Sequence, residues 1–228
     1  MSLIEKTNIV SYDAMYSNME HDHAYPNVNL VRLEKWYFDG PGRTLDHGFG
    51  YGENLFHLVR QGYQVHGVEI SEKLLDWVAH KAKLKQIPAT SFRLSLLEDD
   101  NKLAFESEFF NYVVSLGVLE MLGTKAAALS CLAELARVLA PGGKAIISTL
   151  AVDNSFVQQA IKTSSNTFKF QGTEMDKTTN VEFNLFVPET IGDFEQLLKE
   201  NFSDVEVGSW GNNYMNVNGE HWVGLCQK

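Results

Sequence analysis

The stretch Thr44-Leu45-Asp46-His47-Gly48-Phe49-Gly50-Tyr51-Gly52-Glu53-Asn54 takes a short apolar strand into a turn with glycine at every second position. A second acid follows in Val68-Glu69-Ile70-Ser71, at the end of the next apolar run. Strand, glycine turn, helix, strand and terminal carboxylate describe the nucleoside-binding half of a doubly wound α/β domain. Glycine lets the backbone adopt positive φ and approach a ligand closely. Glu69 lies in the interval expected for an acid that accepts hydrogen bonds from both ribose hydroxyls. The competing reading makes Asp46 and Glu69 helix-capping or salt-bridging acids. Three alternating glycines, however, are more than a turn requires.

The spacing discriminates between cofactors. A dinucleotide turn reads G-x-G-x-x-G, with the pyrophosphate on the helix N-terminus. Here the glycines are Gly48, Gly50 and Gly52, and Glu53 stands at the helix mouth. A carboxylate there suits the helix dipole but repels pyrophosphate. Asp46 adds negative charge before the turn. A positively charged, adenosine-containing cofactor is expected.

Downstream, apolar strands alternate with amphipathic helices. The pattern predicts helix 53–61 closed by Gly62, strand 64–70, and helix 72–85 capped by Ser71 and ended before Pro88. It continues with strand 91–97, strand 109–116, helix 124–139 and strand 144–150. This alternation argues for a parallel sheet with helices on both faces. Residues 1–40 read as helical segments broken at Tyr25-Pro26-Asn27, the second burying Val31, Leu33, Trp36, Tyr37 and Phe38. Residues 151–187 are turn-rich around Phe168-Lys169-Phe170 and break the alternation beyond the strand ends, where ligands bind in such sheets. A helix over 190–201 and strands 204–210 and 221–226 complete the chain. One domain is expected: a helical cover (1–40), a cofactor-binding core (41–150), a lid-like insertion (151–187) and a C-terminal helix and strand pair (188–228).

Leu45-Asp46-x-Gly48-x-Gly50-x-Gly52 with Glu69 resembles the first two motifs of the class I S-adenosylmethionine-dependent methyltransferases. Tyr112–Leu122 looks like that family's fourth strand and turn, and Arg137–Lys144 like the turn before its fifth. The resemblance is good over residues 40–150 and looser beyond. It implies a Rossmann-like, mostly parallel seven-stranded sheet with an antiparallel last strand. The cofactor it implies is S-adenosyl-L-methionine, with S-adenosyl-L-homocysteine as product. Cofactor contacts fall by resemblance on Asp46, Gly48, Phe49, Gly50, Gly52, Asn54, Glu69 and Ile70. The adenine slot falls on Ser95, Leu96 and Leu97 or on the following Glu98-Asp99-Asp100. Leu116 and Gly117 stand where the family holds the cofactor's ammonium group through backbone carbonyls.

No catalytic group declares itself. His21, His23, Tyr25 and His221 are candidates because they lie in segments expected near the mouth of the site. His21 and His23 without a cysteine partner make a poor metal motif, and no metal is expected. His47 lies beside the expected cofactor, whereas His57, His66 and His80 read as structural. The loop Trp210–Asn216 reads equally as a substrate contact and as a hairpin connection.

Composition narrows the acceptor. A formal net charge of −10 repels polyanions. Lys81, Lys83 and Lys85 form the one notable basic cluster and read as a solvated helix end. The Asp/Asn-Pro-Pro-Tyr motif of nucleic-acid amino methylation is absent, and no cysteine lies in the glycine turn or fourth strand. A small-molecule acceptor is expected, with no nucleic-acid and no membrane partner. No run approaches the ~18 apolar residues of a membrane span, and no signal-peptide pattern opens the sequence. Two cysteines form no framework, so a cytoplasmic location is expected. A non-catalytic cofactor-binding protein and a nicotinamide oxidoreductase are the alternatives. The glycine spacing weighs against the latter.

Overall fold

The computed structural model describes residues 8–12, 14, 25–97, 102–173, 180–211, 215 and 217–228. The strands β1 (Arg43–His47), β2 (Gln64–Glu69), β3 (Phe92–Leu96), β4 (Phe110–Ser115), β5 (Leu139–Leu150), β9 (Asp204–Trp210) and β10 (His221–Gln227) form one sheet in the order β3-β2-β1-β4-β5-β10-β9. The first five pair in parallel, and β10 lies antiparallel to both β5 and β9. The expected seven-stranded sheet with an antiparallel last strand is present. The central strands are buried on both faces, so they are nearly continuous apolar runs; Ala145 to Leu150 of β5 is buried throughout.

Besides the helical residues 8–12 and 14, the described helices are α1 (Val28–Tyr37), α2 (Glu53–Arg60), α3 (Glu72–Leu84), α4 (Lys125–Val138), α5 (Ser155–Gln158) and α6 (Ile191–Lys199). Leu30, Leu55, Phe56, Leu58, Leu74 and Val78 fill one face of the sheet. Leu132, Leu135, Phe194 and Leu198 fill the other. Their i, i+3 and i+4 spacing is what commits these segments to helix.

The structure corrects four local expectations. Trp36 is exposed, because the helical period of α1 buries Leu30 and Glu34 and turns Trp36 away. Glu34 is tolerated inside because the Tyr63 hydroxyl donates to it at 2.9 Å. Ser71 occupies the N-cap of α3 but makes no capping hydrogen bond. Lys81 is not a solvated lysine: it is 5% exposed and paired with Glu53. The insertion is also more regular than its turn-rich composition suggests. Strands β6 (Ile161–Ser164), β7 (Thr167–Thr173) and β8 (Asn180–Phe186) form an antiparallel three-stranded sheet with its own core of Phe168, Phe170, Val181, Phe183 and Leu185.

Candidate active site

The carboxyl ends of β1, β4 and β5 meet the amino end of β10 around a cleft of about 680 Å³. That volume suits a small-molecule site. It is lined by Gly48 to Asn54, by Leu116, Gly117 and Ser148, and by Tyr12, Tyr25, Met121, Trp210, Gly219 and His221.

The loop is shaped by its glycines. Gly50 has φ +53° and open space where a side chain would project. Gly52, the N-cap of α2, has φ +81°, and a Cβ there would stand 2.9 Å from Val78. Its lack of a side chain therefore lets the start of α2 pack closely on α3. Asn54 secures the loop from outside, its Oδ1 accepting the Asn27 N–H at 2.9 Å.

The acids divide into three roles. Glu69 is buried and accepts N–H bonds from Gly50 (3.0 Å) and Ile70 (2.8 Å), tying the end of β2 to the glycine loop. Asp46 is buried, and its Oδ2 has no hydrogen-bond partner among the described residues. Burial first, and the Glu69 charge second, push its pKa up to about 7. Glu53 was expected to repel pyrophosphate by its charge. That argument is corrected, because Lys81 (2.5 Å) and Lys85 (3.3 Å) already neutralise it. An unsatisfied buried acceptor beside an open glycine fits a cofactor that brings positive charge and N–H or O–H donors.

The cleft gathers Gly48, Phe49, Gly50, Gly52, Asn54, Leu116 and Gly117 from the expected cofactor set, with Tyr25 and His221 from the catalytic candidates. Asp46, Glu69, Ile70, Ser95, Leu96 and Leu97 do not line it. Ser95 is exposed on β3, while the Leu97 N–H reaches the Glu69 carbonyl at 2.8 Å. Glu98, Asp99, Asp100, His21 and His23 lie outside the described residues.

His221 is half-buried with Nδ1 2.8 Å from the Gly219 carbonyl. A carbonyl only accepts, so Nδ1 carries the hydrogen and Nε2 is the free acceptor. Burial lowers the pKa and keeps the ring neutral. His47, by contrast, ends β1 against Ser115 Oγ at 3.0 Å, with burial lowering its pKa to about 4. His57 contacts Glu34 at 3.4 Å, and His66 lies edge-on to three phenylalanines.

Sequence reasoning passed over Tyr12, Met121, Ser148 and Glu120. Ser148 is a polar residue inside the apolar β5, a signal that was available; its Oγ accepts the Gly117 N–H at 3.2 Å. Glu120, on the 3-10 turn Leu119–Leu122, is buried behind Gly117, and burial pushes its pKa up to about 7. Among the described residues no group of three or more His, Cys, Asp or Glu is placed to hold a metal ion.

The family model of the methyltransferase domain matches residues 45–147. Residues 45–147 are thus similar to a methyltransferase domain. The methyl donor of that family is S-adenosyl-L-methionine, and the match spans the glycine loop, Glu69 and the β4 turn. The putative methyltransferase YqeM of Bacillus subtilis is 29% identical over 133 residues, 58% of this chain and 49% of that one. The chain spans about half or less of the length of the curated relatives it matches. Among solved structures, a SAM-dependent methyltransferase of Methanosarcina mazei superposes with TM-score 0.71 at 17% identity, over 90% of this chain and 98% of that one. The 1,6-didemethyltoxoflavin-N1-methyltransferase of Burkholderia thailandensis superposes with TM-score 0.69 at 16% identity, over 100% of this chain and 91% of that one. That structure holds 1,6-didemethyltoxoflavin and S-adenosylhomocysteine. At these identities the superpositions establish the fold alone.

Proposed function

We propose that this chain transfers a methyl group from S-adenosyl-L-methionine to a small-molecule acceptor. The observation that carries this reading is the cleft's mixed lining. It joins the glycine loop, which suits a cationic nucleoside cofactor, to aromatic and imidazole side chains. Among the described residues no Lys or Arg lines it, which disfavours a nucleic-acid acceptor. Among the described residues no helix is long and apolar enough to cross a membrane. Cys131 and Cys226 are buried free thiols, which supports a reducing, cytoplasmic setting.

In this reading Gly48, Phe49, Gly50, Gly52 and Asn54 hold the cofactor's backbone-facing side. Asp46 and Glu69 supply negative charge beneath it, with Leu116 and Gly117 across. The bound cofactor supplies a methyl group already activated by a sulfonium. The protein's task is then to align the acceptor and exclude water. His221 Nε2 accepts a proton from an acceptor hydroxyl or amine. The segments 12–30 and 151–187 shape acceptor choice from above.

Calorimetry with S-adenosylmethionine, S-adenosylhomocysteine and NAD tests the cofactor assignment; NAD binding alone would end it. S-adenosylhomocysteine release across a panel of phenols, amines and hydroxy acids tests turnover. Tight cofactor binding with no turnover on any acceptor would favour a binding protein. On an active acceptor, His221→Asn should lower kcat by about 10²- to 10⁴-fold at an unchanged cofactor Kd.

A further inference from the structure

A second cleft, of about 300 Å³, opens at the opposite pole of the sheet, where β1 to β4 begin. Register places Arg43 beside Gln64 and His66 beside Arg93. Alternate residues of three neighbouring strands therefore share one face. No helix joins β3 to β4 among the described residues, so Phe105 and Phe109 pack there instead of a helix. The Arg43 guanidinium lies 4.6 Å from the Phe109 ring centroid, which holds it at the cleft wall.

The charge of this cleft is opposite to that of the chain. Among the described residues its lining contains two arginines and a histidine but no acid, in a protein of net charge −10. Neither guanidinium has an ion-pair partner among the described residues. The two are close enough that their fields, added to burial, lower the pKa of His66 between them. The Thr90 and Ser91 hydroxyls and the Gln64 amide add neutral donors at the rim.

We propose that this cleft is an anion site that takes a phosphate dianion, free or as a phosphomonoester. Two guanidinium forks match the oxygens of a doubly charged tetrahedral group better than those of one carboxylate. The site stands apart from the cofactor cleft and does not rest on the methyl-transfer reading.

The test uses the whole chain and three probes: inorganic phosphate, adenosine 5′-monophosphate and adenosine. Proton NMR of His66 reports occupancy directly, because a dianion between the arginines raises the imidazole pKa. Inorganic phosphate and the nucleotide should both produce that rise, whereas adenosine should not. Tighter binding of the nucleotide than of phosphate identifies a ring-bearing ester; equal binding identifies free phosphate. Arg43→Gln with Arg93→Gln should weaken either by about tenfold or more, with S-adenosylhomocysteine affinity and melting temperature retained. No His66 response at tens of millimolar phosphate would overturn the proposal. So would an equal response to chloride at matched ionic strength, or an undiminished response in the folded double variant.

Discussion

At the scale of single residues, Glu69 is where structure and binding are hardest to separate. Its carboxylate holds the Gly50 and Ile70 N–H groups, so it shapes the loop as well as facing whatever the loop holds. Bonds to a charged group contribute about 1.5–3 kcal/mol each. Glu69→Ala should therefore weaken S-adenosylmethionine binding by about ten- to a hundredfold, measured by calorimetry. Glu69→Gln keeps one acceptor oxygen and should lose less. Equal Kd values in all three proteins would show that the ribose is held elsewhere. Asp46 and Glu69 could be picked out from sequence because carboxylates ending apolar strands need a reason to be there. Glu120 could not, since an acid inside Leu119-Glu120-Met121-Leu122 looks like the polar face of an ordinary turn. Its burial depends on β8, β5 and α4 packing around that turn, and β8 and β5 come from distant parts of the chain.

Elements are joined by buried polar links that no local pattern reveals. The Glu53–Lys81 pair ties the N-terminus of α2 to α3, with both side chains under 10% exposed. Removing one partner of a buried pair strands the other, a loss of about 3–5 kcal/mol. Lys81→Met should thus cost about 3 kcal/mol in denaturant unfolding, softened by the remaining Lys85 contact. A change below ~0.5 kcal/mol would mean that the pair is effectively solvated. Helical spacing in 72–84 was readable, but a lysine run looks the same whether one member faces water or a carboxylate from another helix. The small sheet was hidden for a different reason. Strand β6 is exposed throughout, and Ser, Thr and Asn suggest turns, so its strand pairing is set by the partner β7. That sheet is fastened to the cleft through Asn8. Both of its amide donors are used, toward the Met121 carbonyl at 2.5 Å and the Asn184 carbonyl at 2.8 Å, and its Oδ1 accepts from the Asn184 N–H at 2.8 Å. Asn8→Ala should speed amide exchange across 180–186 by about tenfold, while β1 and β4 stay protected. Uniform exchange rates in variant and parent would show that the small sheet is stable without this anchor.

For the whole molecule, two buried acids couple folding, pH and ligand. Asp46 and Glu120 both have pKa values raised by burial to about 7. Between the ordinary carboxylate range, about 4, and 7, the folded protein keeps protons that the unfolded chain has lost. Their contribution is fully present below about pH 4 and is lost as pH rises through 7, up to ~4 kcal/mol for each group. His47 acts in the opposite sense below its ordinary range, since its pKa is lowered to about 4. The window from about pH 6.5 to 7.5 is therefore where the acids act alone. Across it the ligand-free protein should lose stability, and Asp46→Asn with Glu120→Gln should flatten that slope in urea unfolding. A cationic cofactor placed over Asp46 reverses the cost, because it favours the ionised carboxylate. Binding should then release a proton, and affinity should rise from pH 6 to 8. Calorimetry in buffers of different ionisation enthalpy counts that proton. Asp46→Asn removes only the protein's share and leaves the ligand's own titration as the reference. Proton release equal in the parent and in Asp46→Asn would place the cofactor's charge away from Asp46, and the orphaned Oδ2 would then need a partner other than the cofactor.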